Sequence, residues 1–328
     1  MDTRAVFPAA PRRAGMYESF YLRAFSPSEP VGLWLRNTVH KAPGRAPRGS
    51  VWCTVFDAQR GGPYMHKLTS DRLGVPDGGW ISVGDEKEQA RLGPDDAEGR
   101  CGDARWSLRF QSSESALEHL PSRWLYRAPL PRTKSTSPLP AALFDGVLEL
   151  HGRAIELRSW PGMVGHNWGT QHAERWIWLH GLGFDGAPRA WLDVVLARIA
   201  IAGRLTPWLA SGALSLEDRR YRLGGLRARG VAVDADADGC VVRLGGEGGV
   251  ELEARVRVPA GAAAGWRYSD PRSGDHDVIN CSVSALELDV RLPGGAALPT
   301  LRSDHGAAYE LGMRERDHGV PLAPFGDG

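Results

Sequence analysis

Between Gly165 and His180 the chain reads GHNWGTQHAERWIWLH, three tryptophans, three histidines, two side-chain amides and a glutamate within sixteen residues. His166 and Glu174 can exchange protons near neutrality. An imidazole titrates there, and a carboxyl in apolar surroundings keeps its proton and acts as an acid. Glu18, in MYESFYLRAF, is a second carboxyl of this kind. Asn167 and Gln171 offer amides that can orient a substrate oxygen. Trp168, Trp176 and Trp178 supply apolar area, and indole faces stabilise developing positive charge through their ring quadrupoles. Tyr21, Trp34 and Tyr309, on alternating runs near the two ends, are assigned to the same aromatic wall. Glu18, His166 and Glu174 are therefore the candidate catalysts, and the amides and aromatics the candidate substrate-binding residues. Blander roles stand beside these: His166, Asn167 and Trp168 capping a junction through loop backbone, and Glu18 pairing with Arg23 or Arg36 on an adjacent strand.

Other chemistries find less support. His166, His172 and His180 have no cysteine or carboxylate partner at zinc spacing, so no metal centre is expected. DADADG, residues 234 to 239, opens like a calcium loop, but the twelfth position is Gly245 instead of glutamate, and its flanks read as strands. An Asp-Gly hairpin turn is expected there. Nucleophile elbows and phosphate-cradling glycine loops are absent, and no cofactor is implied.

The elements that must carry these residues read as strands. The chain has 328 residues, of which 41 are glycine and 23 proline, leaving few windows long enough for a helix. Short alternating runs dominate: RWSLRF, ERWIWLHGLGF, VELEARVRV. GVLELHGRAIEL has a glycine at its middle that marks a hairpin or bulge. In INCSVSALELDV the apolar phase changes near Ala285 and Leu286, which predicts a bulge. Only Ser113 to Tyr126 hints at a short helix, cut by Pro121. Residues 128–146, rich in proline, are expected to form an extended, loop-like crossing. The fold class expected is mainly β, as antiparallel sandwiches or barrels.

Composition sets the outer bounds. Forty basic residues against thirty-nine acidic ones leave a formal charge of +1, which gives no field to attract nucleic acid. The most apolar window, Trp191 to Leu216, is interrupted by Asp193, Arg198 and Arg204, so no membrane span is expected. Four scattered cysteines, with no apolar leader, read as free thiols in a reducing cytoplasm.

G-H-N-W-G, a short polar gap and E-R-W-I-W-L together resemble the central motif of the carotenoid 1,2-hydratase, tocopherol cyclase-like and AttH-like group. MYESFYLRAFSPSEPVGLWLRNTV resembles the opening strands of that family. PLPRTKSTSPLP with FDGVLELHG, and HGAAYELGMRE, resemble its approach to the motif and its closing strand. His166 and Asn167 stand where the hydratase motif is richer in acidic residues. The resemblance implies two consecutive lipocalin-like β-barrels, residues 1–172 and 173–328. It also implies an apolar, isoprenoid- or polyketide-like ligand in an aromatic pocket where they meet. The chemistry implied is a cofactor-free, acid-assisted hydration, cyclisation or isomerisation; a carrier without chemistry is the alternative.

Overall fold

The computed structural model describes residues 3–85, 88–201, 203–217, 219–225, 230–272, 274–314 and 318–325. The first sheet opens with β1 (Met16–Phe25), β2 (Val31–Lys41), β3 (Arg48–Asp57) and β4 (Tyr64–Ser70). Five short strands follow: β5 (Leu73–Gly74), β6 (Ile81–Gly84), β7 (Gln89–Leu92), β8 (Asp96–Cys101) and β9 (Ala104–Gln111). It is completed by β10 (Leu117–Glu118) and two long strands, β11 (Thr133–Leu150) and β12 (Arg153–Gly169).

The second sheet begins with β13 (Arg175–Gly181) and β14 (Trp191–Arg198), then, after the small β15 (Ala200–Ile201) and β16 (Arg204–Leu205) ribbon, β17 (Leu209–Leu216). It continues through β18 (Arg219–Gly224), β19 (Ala232–Asp236), β20 (Gly239–Gly245) and β21 (Glu251–Arg257). Last come β22 (Ala264–Ser269), β23 (Asp275–Arg291) and β24 (Leu301–Met313). Among the described residues all strand pairs are antiparallel, and no strand of one sheet pairs with the other. Each sheet curls: β6 comes against β3 and β4, and a bridge from Leu223 to Gly246 draws the ends of the second sheet together. The protein is two consecutive antiparallel lipocalin-like barrels.

Alternation explains which residues fill them. Phe20, Leu22, Leu35, Val51, Trp106 and Phe144 form the core of the first barrel. Ile177, Leu179, Val242, Leu288 and Tyr309 belong to the core of the second. Trp34, Trp52 and Phe56, on the outer face of the first sheet, pack into that second core, where Trp34 meets Trp266 at 6.4 Å and Trp52 meets it at 5.0 Å.

Three local readings are resolved. His151 and Gly152 both have positive φ and close a two-residue hairpin between Leu150 and Arg153, as a primed turn requires. DADADG is a hairpin turn, Asp236 pairing with Gly239. Register shifts between Cys281 and Leu286 supply the bulge.

Two expectations fail. The proline-rich crossing is not a loop from Thr133 onward but half of the longest strand pair. Pro138 and Pro140 sit at two of its three register shifts, where no ladder N–H is required. Ser113 to Tyr126 forms no α-helix. Leu117 and Glu118 pair with Ser137 and Thr136, leaving a single 3-10 turn, Arg123–Tyr126.

Between the barrels Arg23 is fully buried. Its guanidinium donates to His180 Nδ1 at 2.9 Å, Ser282 O at 3.0 Å and Gly306 O at 3.2 Å. Burial pulls its pKa down to about 9, so it remains cationic at neutral pH. Arg23 donates to His180 Nδ1, and His180 Nε2–H donates to Pro140 O at 2.8 Å, which fixes a neutral imidazole. Burial, with the charge of Arg23 adding to it, lowers the pKa of His180 to about 4.

Arg23→Met should lower unfolding free energy by about 3 kcal/mol in urea titration, because it strands buried acceptors that no water reaches. Because His180 binds its proton more weakly folded than unfolded, its contribution is complete above pH 6.5 and is lost as pH falls toward 4. Melts from pH 7 to pH 4 should lose about 3 kcal/mol through this residue, and His180→Gln should flatten that slope.

Candidate functional site

β1 pairs with β12 so that Glu18 faces Trp168 and Phe20 faces His166; β11 places Thr136 opposite His166 and Lys134 opposite Trp168. Cross-strand partners share a face. All six side chains therefore project to the inner side of the first barrel, while Tyr17, Ser19, Tyr21 and Asn167 project to the seam. The glycines flanking His-Asn-Trp follow from close approach. A Cβ on Gly165 would run into the ring of Tyr21, and one on Gly169 into Arg132 O.

His166 is buried and sandwiched, with Phe20 stacked at 4.0 Å on one side and Trp168 at 4.5 Å on the other. Its Nε2 lies 2.8 Å from Glu18 Oε1. Glu18 also accepts from the backbone N–H of Val6, at 2.8 Å, and of Phe7, at 2.7 Å. Every neighbour of this carboxylate is a donor. It therefore holds the Nε2–H tautomer of His166, and Nδ1 is left as the lone-pair nitrogen. Burial lowers the pKa of His166 and the hydrogen bond and charge of Glu18 only partly restore it, so the ring is neutral at pH 7.

His166, Trp168 and Thr136 form one wall of a cavity of about 760 Å³. Thr3, Arg4 and Val6 line it on the N-terminal side. The other side is the stretch from Ala116 to Arg127, which brings Glu118, Arg123, Trp124 and Tyr126. Tyr126 stacks toward Trp168 at 5.9 Å and donates to Ser135 O at 2.8 Å. Trp124 stands 64% exposed at the mouth. The size lies within the range that takes one drug-sized ligand. The stretch is also tied to the second barrel, Arg222 donating to Glu118 O and Arg220 to Ser115 O.

Of the residues singled out in the sequence, His166, Trp168 and, behind them, Glu18 come together here. Glu18 does not line the cavity; it positions His166. The others lie elsewhere. Tyr21 and Trp178 meet edge to face at 5.4 Å in the seam. The Trp178 indole is committed to Asp193 Oδ1 at 3.0 Å. Asp193 also accepts from Ser137 Oγ at 2.5 Å and has His119 Nε2 at 3.4 Å. Burial pushes the Asp193 carboxyl up, but His119, His180 and Ser137 outweigh it and hold it at about 2. Ser137, His119 and Asp193 have triad composition without triad geometry, since the hydroxyl donates to the carboxylate and not to the imidazole.

Trp34 lies in the inter-barrel aromatic cluster, and Tyr309 is fully buried in the second barrel, donating to Asp236 O at 2.7 Å. Asn167 keeps a buried Oδ1 without a hydrogen-bond partner on the seam side. Gln171 accepts from Arg132 and donates to Glu174, and Glu174 pairs with Arg314 at 2.6 Å, away from the cavity. Trp176 stacks on His172 and donates to Glu310 Oε1 at 2.8 Å. The cavity residues Arg4, Trp124, Tyr126 and Thr136 were not foreseen. SRWLY, a basic and aromatic stretch after Pro121, is the one signal that could have pointed to them.

No family model matches the chain. Two curated relatives, both uncharacterized proteins of Mycobacterium tuberculosis (strains CDC 1551 and H37Rv), are 26% identical over 319 residues, 95% of this chain and 91% of theirs. Among solved structures, a complex of CghA with Sch210972 aligns with a TM-score of 0.60 at 14% identity, over 92% of this chain and 88% of that one. Kievitone hydratase from Nectria haematococca gives 0.55 at 9% identity, over 95% and 93%. The AttH-like protein of Nitrosomonas europaea also gives 0.55, at 11% identity, over 95% and 97%. The chain thus has the AttH-like, carotenoid hydratase-like lipocalin fold, the one to which its GHNWG and ERWIWL segments pointed.

Proposed function

We propose that this protein binds an apolar small molecule, isoprenoid- or polyketide-like, in the cavity of the first barrel, and that His166 moves a proton on it. The observation that carries this reading is the arrangement of one imidazole: Nε2 held by Glu18, both ring faces clamped, and Nδ1 left for a ligand in a cavity of about 760 Å³. Among proteins of this fold, one is solved with a bound compound and another is named a hydratase, which supports the same class of role. The chemistry is a cofactor-free hydration, cyclisation or isomerisation.

The geometry favours a base over the acid expected from sequence. A neutral His166 whose Nε2–H is fixed by a carboxylate takes a proton at Nδ1, from water adding to a double bond or from an acidic carbon, and returns it later in the cycle. Trp168 and Tyr126 give the ligand aromatic faces. Division of the chain at residues 172 and 173 belongs to this reading, supported by the change of sheet between Gly169 and Arg175. So does a cytoplasmic setting, supported by four buried free thiols. No helix among the described residues is long and apolar enough to cross a membrane.

Native mass spectrometry of protein purified from its own host should reveal a co-purifying apolar compound, and Trp168→Ala should release it. With that compound as probe, His166→Asn should cut turnover by roughly 10²- to 10⁴-fold while affinity changes little. Turnover that survives His166→Asn removes the catalytic role, and a bound compound that the wild type never alters makes the protein a carrier.

The pH dependence of kcat/KM should be flat above 6.5, the ordinary histidine value, and should fall on the acid side as Nδ1 takes a proton. Since Glu18 raises the His166 pKa, Glu18→Gln should move that fall to still lower pH. A general-acid role would reverse the slope.

A further inference from the structure

His172, Asp270 and His276 have no part in the cavity. His172 lies in the segment joining β12 to β13, Asp270 follows β22, and His276 is the second residue of β23. One ligating atom from each lies within 4.8 Å of the others, and this is the one such group among the described residues. We propose that these three side chains bind a divalent transition-metal ion of the zinc class, which pins the inter-barrel segment to the second barrel. This goes beyond the ligand reading and does not depend on it.

Three observations carry it. First, imidazole nitrogens are buried here without partners. His276 is fully buried, with the backbone of Ala173 as a marginal hydrogen-bond partner for one ring nitrogen and none for the other; Nε2 of His172 is buried and unpartnered as well. Buried polar atoms are normally satisfied, and unsatisfied ones call for an ion or a water.

Second, Asp270 orients the group as a metal site requires. Its Oδ1 accepts from the backbone N–H of His172 at 2.7 Å and lies 2.8 Å from the ring Nδ1, the atom through which His172 would share an ion with the carboxylate. Its Oδ2 stands 4.0 Å from His276 Nδ1. Two histidines and one carboxylate form a donor set for zinc, cobalt and their neighbours.

Third, the local charge leaves room for a cation. Arg314 lies 3.2 Å from Asp270 Oδ2, which would oppose a metal, but it also pairs with Glu174 at 2.6 Å. Two carboxylates against one guanidinium and two neutral imidazoles leave one negative charge. Tyr17 stacks on His172 at 3.9 Å, and Trp176 lies 5.5 Å from His172 and 5.3 Å from His276, which gives the site a dry aromatic shell. Glu174 and His172, prominent in the motif, thereby gain a common purpose.

The test uses the full chain, stripped with a chelator, incubated with stoichiometric CoCl₂ or ZnCl₂ and desalted. The expected result is about one ion retained per chain, with visible Co²⁺ bands, quenched tryptophan fluorescence and a higher melting temperature than the stripped protein. His276→Gln should abolish retention. Asp270→Asn, which keeps the side-chain shape but removes the charged ligand, should weaken it by roughly 100-fold or more, beyond the loss typical of an outer-shell partner. His166→Asn should retain the ion fully, which separates this site from the cavity. Wild-type protein that desalts free of metal would overturn the proposal even where the variants fail to fold, as would equal retention by a folded His276→Gln variant.

Discussion

β1 is buried along its whole length on both faces, and the molecule is organised around that fact. A strand with one solvated face can carry polar residues there; this one must place every side chain in a packed environment. Glu18, Phe20 and Leu22 go into the first barrel, and Tyr17, Tyr21 and Arg23 go against the second. A slip of one residue would exchange the two sets. Glu18 would leave His166 and enter the seam, and Arg23 would enter an apolar core. The contacts that hold the barrels together therefore also fix the carboxylate behind the cavity histidine.

A seam of aromatic rings alone would define the packing of the barrels loosely, because apolar surfaces slide with small penalty. Directional groups remove that freedom. The Arg23 guanidinium reaches acceptors on three segments of the second barrel, and Asp193 gathers donors from β11, β13 and the stretch after β10. Removing a charge from water is costly, and it is offset here by the acceptors around the two terminal nitrogens of Arg23 and the donors around Asp193, although Arg23 Nε has no partner. Such directional contacts fix an arrangement that apolar packing alone leaves loose, which suits a barrel whose cavity wall includes a stretch anchored on the other barrel.

Much of the architecture was legible because antiparallel barrels write period-two patterns and glycine turns into the chain. RWSLRF alternates exposed and buried through Arg105, Trp106, Ser107 and Leu108, and Gly152 marks the hairpin between β11 and β12. Legibility ended where tertiary context overrode local chemistry. Prolines in 128–146 signal a loop, yet register shifts let a long strand absorb Pro138 and Pro140. The cavity residues were hidden for another reason. Thr3, Trp124 and His166 are remote in sequence and meet only because β1, β11 and β12 are adjacent. The same holds for His172 and Asp270, ninety-eight residues apart.

The density of chemistry between Gly165 and His180 suggested a single pocket, and the geometry of an extended chain is what divides it. Successive side chains on a strand point to opposite faces. His166 and Trp168 look into the first barrel, and Asn167 between them looks into the seam. Past Gly169 the chain leaves the first sheet, so Gln171, His172 and Glu174 serve the joint itself. Once it enters β13, Ile177 and Leu179 fill the second core while Trp178 and His180 return to the seam. Sixteen residues thus touch four environments, and most of their aromatic and polar character is consumed in joining two barrels. His166 and Trp168 alone of the predicted site residues line the cavity, so any chemistry there depends on a histidine oriented by a carboxylate that the same joint holds in register.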